Sequence, residues 1–298
     1  MIEYMKKNGV EVRLNKTVTG FEATDGHITG IRTKGGLVTA DSYILATGGK
    51  SHPETGCTGE GFGWMQQLGH TVIQPDPALV PIVLKDPWKK KAAGISLKDV
   101  KMNVVQDGKK YDSRAGKMLF THLGLSGPLV LNMSKGIGAL LKNGDVLLEL
   151  DLFPKLDAGA LDKQLLTMFE RGKNKMIKNA IGEITQPRLG LILLSLTDIP
   201  PDTPLRQLTR EQRLSFGQLL KRFPMHVAGL LGEDKAIITG GGIDLKEVVF
   251  RTMQSKLYKN LFFAGDVLDF DRPSGGFSLQ ICWTTGFVAG SSTAESKN

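Results

Sequence analysis

Short apolar runs alternate with turn residues over the first part of the chain. Ile2 and Met5 lie three residues apart and Gly9 follows where a helix C-cap is expected, so the chain opens with a short helix. The next apolar runs predict four short strands over residues 10–14, 17–23, 28–32 and 37–38, with turns between them. This pattern indicates a small antiparallel meander.

Two further apolar strands each run into a loop that contains glycine. The first covers residues 44–46 and continues as Thr47-Gly48-Gly49, and the second covers residues 261–264 and continues as Gly265-Asp266. In an open α/β sheet, ligands bind outside the carboxyl ends of the strands, and glycine there lets the backbone approach a ligand closely. Either loop alone is equally consistent with an ordinary turn, but the pair indicates a binding site.

The region between these two strands changes from strand-like to helical. Apolar runs predict strands at residues 79–84, 97–105 and 145–150, and Pro128 indicates the first turn of a helix. Residues 154–223 carry apolar positions at helical spacing, with Thr209 and Gln212 placed as a capping box. A last helix is predicted from Phe277 to about Ser292.

Composition and charge narrow the class of protein. The chain has 298 residues, of which 41% are hydrophobic and 23% charged, as in ordinary globular proteins. Cys57 and Cys282 are its two cysteines, which argues against a disulfide scaffold or a zinc or iron–sulfur site and favours the cytoplasm. The histidines also lack metal-ligand spacing, and the chain has no apolar run long enough to span a membrane. The net charge of +8 is scattered, so no nucleic-acid partner is predicted.

Two features near the end of the chain suit a phosphorylated or hydroxylated ligand. Asp266 follows an apolar strand, so its carboxylate can accept hydrogen bonds from sugar or ribityl hydroxyls, although a turn-capping role is the simpler alternative. Gly275-Gly276 precedes the last helix, whose N-terminal N–H groups favour a pyrophosphate or an anionic ring. A helix entry without a ligand explains this pair equally well.

As a set, these motifs resemble one flavoprotein family, the bile-acid-reductase and aminoacetone-oxidase-like NAD(FAD)-utilising dehydrogenases. The similarity runs nearly from end to end and is carried by the segments Ala46-Thr47-Gly48-Gly49-Lys50-Ser51-His52-Pro53, Thr55-Gly56-Cys57-Thr58-Gly59, Gly69-His70, Pro77-Ala78-Leu79-Val80-Pro81, Phe120-Thr121-His122-Leu123-Gly124-Leu125-Ser126-Gly127-Pro128, Thr239-Gly240-Gly241-Gly242 and Gly265-Asp266-Val267-Leu268-Asp269.

The resemblance implies a mixed α/β (α+β overall) fold, in which an insert interrupts an FAD-binding Rossmann-like domain. Residues 1–76 and 239–298 would form the split domain. Residues 77–238 would form the insert, a small β-barrel with a helical part at residues 154–223. The implied cofactor contacts are Ala46, Thr47, Gly48, Gly49, Gly265, Asp266, Gly275, Gly276 and Phe277.

The loop from Phe120 to Pro128 supplies the candidate catalytic residues. His122 is a candidate acid because histidine titrates near neutral pH, and Ser126 is a candidate substrate contact. Each has a structural alternative, in which His122 packs at the domain junction and Ser126 caps the helix that Pro128 begins.

The family's first βαβ unit, which carries G-x-G-x-x-G, has no match in the sequence. Gly136-Ile137-Gly138 lacks the third glycine, and Gly59-Glu60-Gly61 has the wrong spacing. This departure puts FAD binding in doubt, because the pyrophosphate loses its main cradle. We expect an N-terminally incomplete family member with an exposed sheet edge, and hence self-association or a partner chain that supplies the unit.

The sequence therefore predicts an FAD-dependent oxidoreductase that acts on a small molecule, with NAD(P)H as a candidate reductant. The alternative is a flavin-free remnant, or one half of a two-chain assembly, that works as an interaction module. A flavin-dependent RNA-modifying enzyme is a third hypothesis, disfavoured because the basic residues are not interleaved with aromatic ones.

Overall fold

The computed structural model describes residues 2–232 and 235–295, and this part of the chain contains helices, three open sheets and a closed barrel. Its strands, in chain order, are β1 Val18–Thr24, β2 His27–Thr33, β3 Gly36–Val38, β4 Tyr43–Leu45, β5 Val72–Ala78, β6 Ile82–Leu84, β7 Ser96–Gln106, β8 Lys109–Phe120, β9 Gly124–Ser126, β10 Leu147–Asp151, β11 Phe223–Leu230, β12 Ile238–Ile243, β13 Val248–Val249, β14 Gln254–Ser255 and β15 Leu261–Phe263. The helices are α1 Ile2–Lys7, α2 Glu60–Gln67, α3 Lys89–Ala92, α4 Pro128–Leu141, α5 Ala158–Arg171, α6 Ile177–Ala180, α7 Pro187–Leu194, α8 Arg210–Lys221 and α9 Phe277–Glu295.

Six antiparallel strands close into a barrel in the order β10-β11-β6-β9-β8-β7. Its longest pair, β7 and β8, turns at Asp107-Gly108, where both residues have positive φ, the conformation that a tight hairpin turn requires. Phe120, Phe223 and Met102 are fully buried inside, and the ring of Trp88 lies 4.8 Å from that of Phe223. The barrel and the helices beside it share one hydrophobic core.

The helices after β10 confirm the pattern predicted for residues 154–223. Leu161, Leu165 and Phe169 of α5 are buried, at the spacing of one helix face. The side chain of Thr209 accepts from the backbone N–H of Gln212, whose own side chain accepts from the Thr209 N–H, so the capping box is present.

The second part, the parallel-sheet part, consists of the sheet β13-β14-β15-β4 with α2 and α9 and has a core of its own. Its pair β15-β4 is parallel, and the pairs β13-β14 and β14-β15 are antiparallel. Strands β15 and β4 run parallel, with Leu261 opposite Tyr43 and Phe263 opposite Leu45, although more than two hundred residues separate them in the sequence. Among the described strands, β4 pairs on one side, and its residue Ile44 is 42% exposed.

The predicted strand over residues 10–14 is wrong. This segment forms no strand, and Val10, Val12 and Leu14 are all exposed. Its apolar residues alternate with Glu11 and Arg13, which pair with each other at 2.9 Å in solvent. The alternation is that of a strand, but the described structure offers the segment no sheet to join. The other three strands of the meander are present as β1, β2 and β3.

A buried histidine joins three segments of the parallel-sheet part. His70 Nδ1 lies 2.8 Å from Glu247 Oε2, and its Nε2 lies 3.1 Å from the Ser255 hydroxyl. The hydrogen bonds link a serine to a histidine and the histidine to a glutamate, as in the catalytic triad of a hydrolase. Ser255, however, is only 4% exposed, and its hydroxyl accepts from the backbone N–H groups of Leu257 and Tyr258. The network is therefore a structural tie.

This tie predicts a loss of stability at mildly acid pH. Burial lowers the pKa of His70 below 6.5, although the hydrogen bond with Glu247 opposes the shift. A histidine whose pKa is lower in the folded than in the unfolded state stabilises the fold above the unfolded value, and that stability is lost as the pH falls. We therefore expect the free energy of unfolding, measured with urea, to fall between pH 7.5 and 5.5.

His70→Gln removes the titrating group, so its unfolding free energy should be lower at neutral pH and flatter across the same range. The control is His27→Gln at an exposed position of β2, which should keep the slope of the parent chain. An unchanged slope in His70→Gln would contradict the assignment.

Candidate functional site

The parallel pairing of β4 and β15 brings the two glycine loops to one edge of the sheet. The backbone N–H of Ala264 donates to the carbonyl of Leu45 at 3.0 Å, so the two strands stay paired up to the point where both loops begin. A cavity of about 520 Å³ opens there. Five of the residues predicted as cofactor contacts line it: Ala46, Gly48, Gly49, Gly265 and Asp266.

The first loop is held by a threonine from β12. The hydroxyl of Thr239 is the acceptor for the backbone N–H groups of Lys50 at 2.6 Å and of Ser51 at 3.1 Å. A Cβ on Gly49 would lie 2.2 Å from that hydroxyl oxygen, so only glycine permits this approach. Gly48 has a φ of 72°, in the left-handed region that glycine adopts without strain.

The second loop is held by the last helix. The backbone N–H of Gly265 donates to the hydroxyl of Thr285 on α9 at 2.9 Å, in a buried position. Cys282 and Gly286, one helical turn apart on α9, line the same cavity. A Cβ on Gly286 would meet no atom within 4 Å, so this side of the helix leaves space next to the loop.

Asp266 accepts three hydrogen bonds at a single oxygen. Its Oδ1 lies 2.6 Å from Arg272 Nη1, 3.1 Å from the hydroxyl of Ser278 and 3.5 Å from Cys282 Sγ. The Arg272 side chain is completely buried. The aspartate is thus oriented by the loop before α9 and by the first turns of α9 itself.

The environment of Cys282 keeps its thiol protonated. Burial raises the pKa of Cys282, and the nearby charge of Asp266 and its hydrogen bond act in the same direction. Since the thiolate is the reactive form of cysteine, this side chain serves as a neutral wall of the cavity.

Gly275, Gly276 and Phe277 lie where α9 begins. Both glycines have positive φ, 113° and 90°, and Phe277 is 55% exposed. The backbone N–H of Ser274 donates to the Asn132 side chain of α4 at 2.7 Å, which fixes this entry against the barrel side of the molecule. A Cβ on Gly276 would find open space, so its backbone is accessible to a ligand.

Thr47, the remaining predicted cofactor contact, faces a different way. A Cβ on Gly61 of α2 would lie 2.2 Å from the Thr47 hydroxyl oxygen, so this side chain lies against the start of that helix. It is not among the residues that line the cavity.

His122 and Ser126 lie on the barrel and are not brought to the glycine loops. His122 is exposed in the turn between β8 and β9, and Ser126 ends β9. Neither lines this cavity, and the residue that caps α4 is Gly127, so the helix-capping alternative for Ser126 is wrong. The catalytic assignments for both residues stay predictions.

Sequence reasoning missed the residues that support the loops, namely Thr239, Arg272, Ser278 and Thr285. Thr239 precedes the glycine run Gly240-Gly241-Gly242, which indicated the end of a strand. That run gave no indication that the Thr239 hydroxyl would accept from the backbone of the first loop. Arg272 carried no signal, because an isolated arginine in a polar loop usually lies in solvent, whereas this one is 3% exposed.

The model of the HI0933-like protein Rossmann domain matches residues 1–292. The chain is 29% identical over 266 residues to the 3-dehydro-bile acid delta(4,6)-reductase of Clostridium scindens, covering 89% of this chain and 65% of that protein. It is 27% identical over 301 residues to the ribosomal RNA dihydrouridine synthase of Escherichia coli, covering 100% of this chain and 72% of the relative. The corresponding synthase of Haemophilus influenzae is 27% identical over 249 residues, 83% of this chain and 59% of its own length.

The chain thus spans about two thirds of the length of these curated relatives. The family match covers nearly the whole chain, and the glycine loops that carry the resemblance meet at one cavity. The chain therefore belongs to the HI0933-like family, a family of bile-acid-reductase-like FAD flavoproteins with a Rossmann domain.

Proposed function

We propose that this chain is the FAD-binding and substrate-binding part of an FAD-dependent reductase. The observation that carries the proposal is the cavity at the carboxyl ends of β4 and β15, which both glycine loops line. Such a strand-end crevice is where α/β sheets bind nucleotide cofactors. Its backbone is accessible at glycines with positive φ, as close approach of a cofactor requires.

Each predicted contact has a role in this proposal. Asp266, oriented by Arg272, would accept hydrogen bonds from ribityl hydroxyls at the carboxylate oxygen that the arginine leaves free. The backbone of Gly276 and Phe277 at the start of α9 would face the flavin ring, where the helix dipole favours negative charge. Ala46, Gly48 and Gly49 would lie along the adenosine side. When bound, FAD would supply the two-electron chemistry that the side chains lack.

The names of the relatives suggest the type of reaction. One is a reductase of a bile acid and two are synthases of dihydrouridine, a reduced uridine, so both activities add hydrogen to a substrate. We propose the same type of reaction here, with NAD(P)H as the reductant.

The proposed layout assigns residues 1–76 and 239–298 to the cofactor and residues 77–238 to the substrate. We also propose that the protein is located in the cytoplasm. No helix among residues 2–232 and 235–295 is long and apolar enough to cross a membrane.

An exposed apolar stripe on α9 supports the proposal that a further unit packs against this part of the molecule. Leu279, Trp283 and Phe287 recur every fourth residue on one face of α9 and are 59%, 62% and 76% exposed. Apolar residues also line the opposite side of this helix, where Ala289 is fully buried, and a helix that is apolar all round is normally covered.

We propose that a strand–helix unit covers this stripe and pairs with the exposed edge of β4. Paired parallel strands such as β4 and β15 are normally covered on both faces, and the relatives are longer than this chain. Such a unit, from a partner chain or a further segment, would provide the phosphate-binding turn that the sequence lacks. Without it, the stripe would drive self-association.

The first prediction tests the cofactor site. Gly49→Ala places a methyl group against the Thr239 hydroxyl and forces the loop outward, so the affinity for FAD should fall by about tenfold or more. The measurement is titration of the chain with FAD, followed by the visible absorbance of bound flavin. The matched control is Gly63→Ala on α2, where the added methyl group meets no atom within 4 Å.

Equal affinity in Gly49→Ala and the parent chain, with both folded by circular dichroism, would place the cofactor elsewhere. A chain that binds no FAD under any condition would support the flavin-free interaction module instead.

The second prediction tests the stripe. Trp283→Lys combined with Phe287→Lys puts two charges on the exposed face of α9, so the oligomers expected of the parent chain should become monomers in sedimentation velocity. Leu257→Lys, at an exposed apolar position outside the helix, is the control and should leave the oligomers unchanged. A parent chain that is monomeric at high concentration would contradict the prediction.

A further inference from the structure

A second cavity, of about 550 Å³, lies between the barrel side of the molecule and the loop that leads into α9. Its walls come from α4, from the paired strands β5 and β12, from β8 and from residues 270–273. The volume is in the range of pockets that bind small molecules. None of the residues predicted from the sequence as site residues lines it.

The two sides of this cavity differ in chemistry. One side is apolar, with Leu79, Leu131, Ile238 and Phe270. The other presents two cations, Arg114 and Lys135, and the carboxylate of Asp271 is the one acidic group among the described residues of this wall. Two positive charges therefore face one negative charge across the described part of the wall.

Arg272 connects this cavity to the proposed FAD cavity. Its Nη1 donates to Asp266 at 2.6 Å and its Nη2 to the carbonyl of Thr239 at 3.3 Å, and both of these residues line the FAD cavity. Arg272 also belongs to the wall of the second cavity, but its side chain is completely buried, so the guanidinium lies behind that wall. A ligand there would thus be separated from the cofactor site by one guanidinium group.

The same arginine has an unused hydrogen-bond donor. Arg272 Nε is buried and finds no acceptor among residues 2–232 and 235–295. The Ser274 hydroxyl is also buried and has no hydrogen-bond partner among these residues. Buried donors without a partner are rare and costly, particularly on a charged group. Because the Arg272 side chain has no exposed surface, a ligand in the cavity would not contact this donor directly, and the contacts must come from other residues of the wall.

The two cations of the wall, Arg114 and Lys135, are held so that they can still bind an anion. Arg114 donates through Nε to Asp112 at 2.9 Å and through Nη1 to the carbonyl of Asn132 at 3.2 Å, which fixes its guanidinium plane at the cavity wall. Lys135 Nζ lies 3.7 Å from Asp271, longer than a hydrogen bond, and its side chain is more than half exposed. Both side chains keep donors available to a ligand.

We propose that this cavity binds the reductase's substrate, an apolar small molecule with a carboxylate at one end, which Arg114 and Lys135 hold beside the flavin. This assignment rests on the proposed function. Arginine recognises a carboxylate through paired hydrogen bonds, and the apolar wall buries the rest of the molecule. Among the described residues of the wall, Phe270 is the one aromatic side chain, which is too few for the base stacking by which single-stranded RNA is usually recognised.

The test uses a matched pair of fluorescent probes, 1-pyrenebutanoate and 1-pyrenebutanol, which differ in the terminal charge. Binding is measured by fluorescence titration of the full chain, with and without FAD. The carboxylate should bind about tenfold more tightly than the alcohol. Arg114→Gln and Lys135→Gln should each remove most of this difference and leave the affinity for the alcohol unchanged.

The matched control is Lys142→Gln, which neutralises a lysine just beyond the end of α4, outside the cavity wall, and should retain the full difference. Equal binding of acid and alcohol would overturn the inference. Loss of affinity for both probes in the Arg114 or Lys135 variant would overturn the assignment of a carboxylate contact. Displacement of the acid by a single-stranded RNA oligonucleotide would point to phosphate recognition and also overturn it.

Titration with FAD keeps the two proposals apart. If FAD binds while the probes do not discriminate charge, the reductase proposal stands and the carboxylate subsite is wrong. If the acid binds through Arg114 and Lys135 but FAD does not bind, the proposed function fails. Competition between FAD and the acid would assign the cavity to the cofactor and overturn the subsite.

Discussion

The site depends on one close approach, that of the Gly49 backbone to the Thr239 hydroxyl. The contact joins a loop that follows β4 to a strand that lies nearly two hundred residues later in the chain. It satisfies two backbone N–H groups with one buried oxygen, and it leaves no space for a side chain at position 49. With the loop held there, the backbone at Gly48 and Gly49 faces the cavity instead of folding into it.

From Thr239 the constraint extends to Arg272 and Asp266. The arginine contacts the carbonyl of Thr239 and the carboxylate of Asp266, so one buried side chain sets the relative positions of both glycine loops. Burying a guanidinium is costly unless it is paired with an opposite charge. Removal of the Asp266 carboxylate would therefore leave the charge of Arg272 uncompensated. Arg272 also belongs to the wall of the second cavity, so its guanidinium lies between the two cavities.

The barrel and the parallel-sheet part differ in how completely they bury their apolar residues. The barrel closes on itself, so no strand in it has a free edge, and its core is filled by residues such as Phe120 and Phe223. In the parallel-sheet part, the stripe of α9 and the edge at Ile44 stay exposed. The exposed apolar residues make the parallel-sheet part the place where a partner would bind.

The sequence by itself determined the elements whose signals are local. The capping box at Thr209, the helix begun by Pro128 and the glycine loops after two apolar strands follow from hydrogen bonds and φ preferences within a few residues. Alternation alone failed at residues 10–14, because a strand needs a neighbouring strand and local pattern does not provide one.

Only the tertiary structure decided which residues meet. The burial of Arg272, the tie between Thr239 and Lys50 and the separation of His122 from the glycine loops all depend on contacts between segments far apart in the chain. Such contacts are fixed by the packing of whole sheets and helices, so no window of the sequence contains them. The sequence predicted a flavin-type site at the two glycine loops, and the tertiary structure determined which side chains surround these loops.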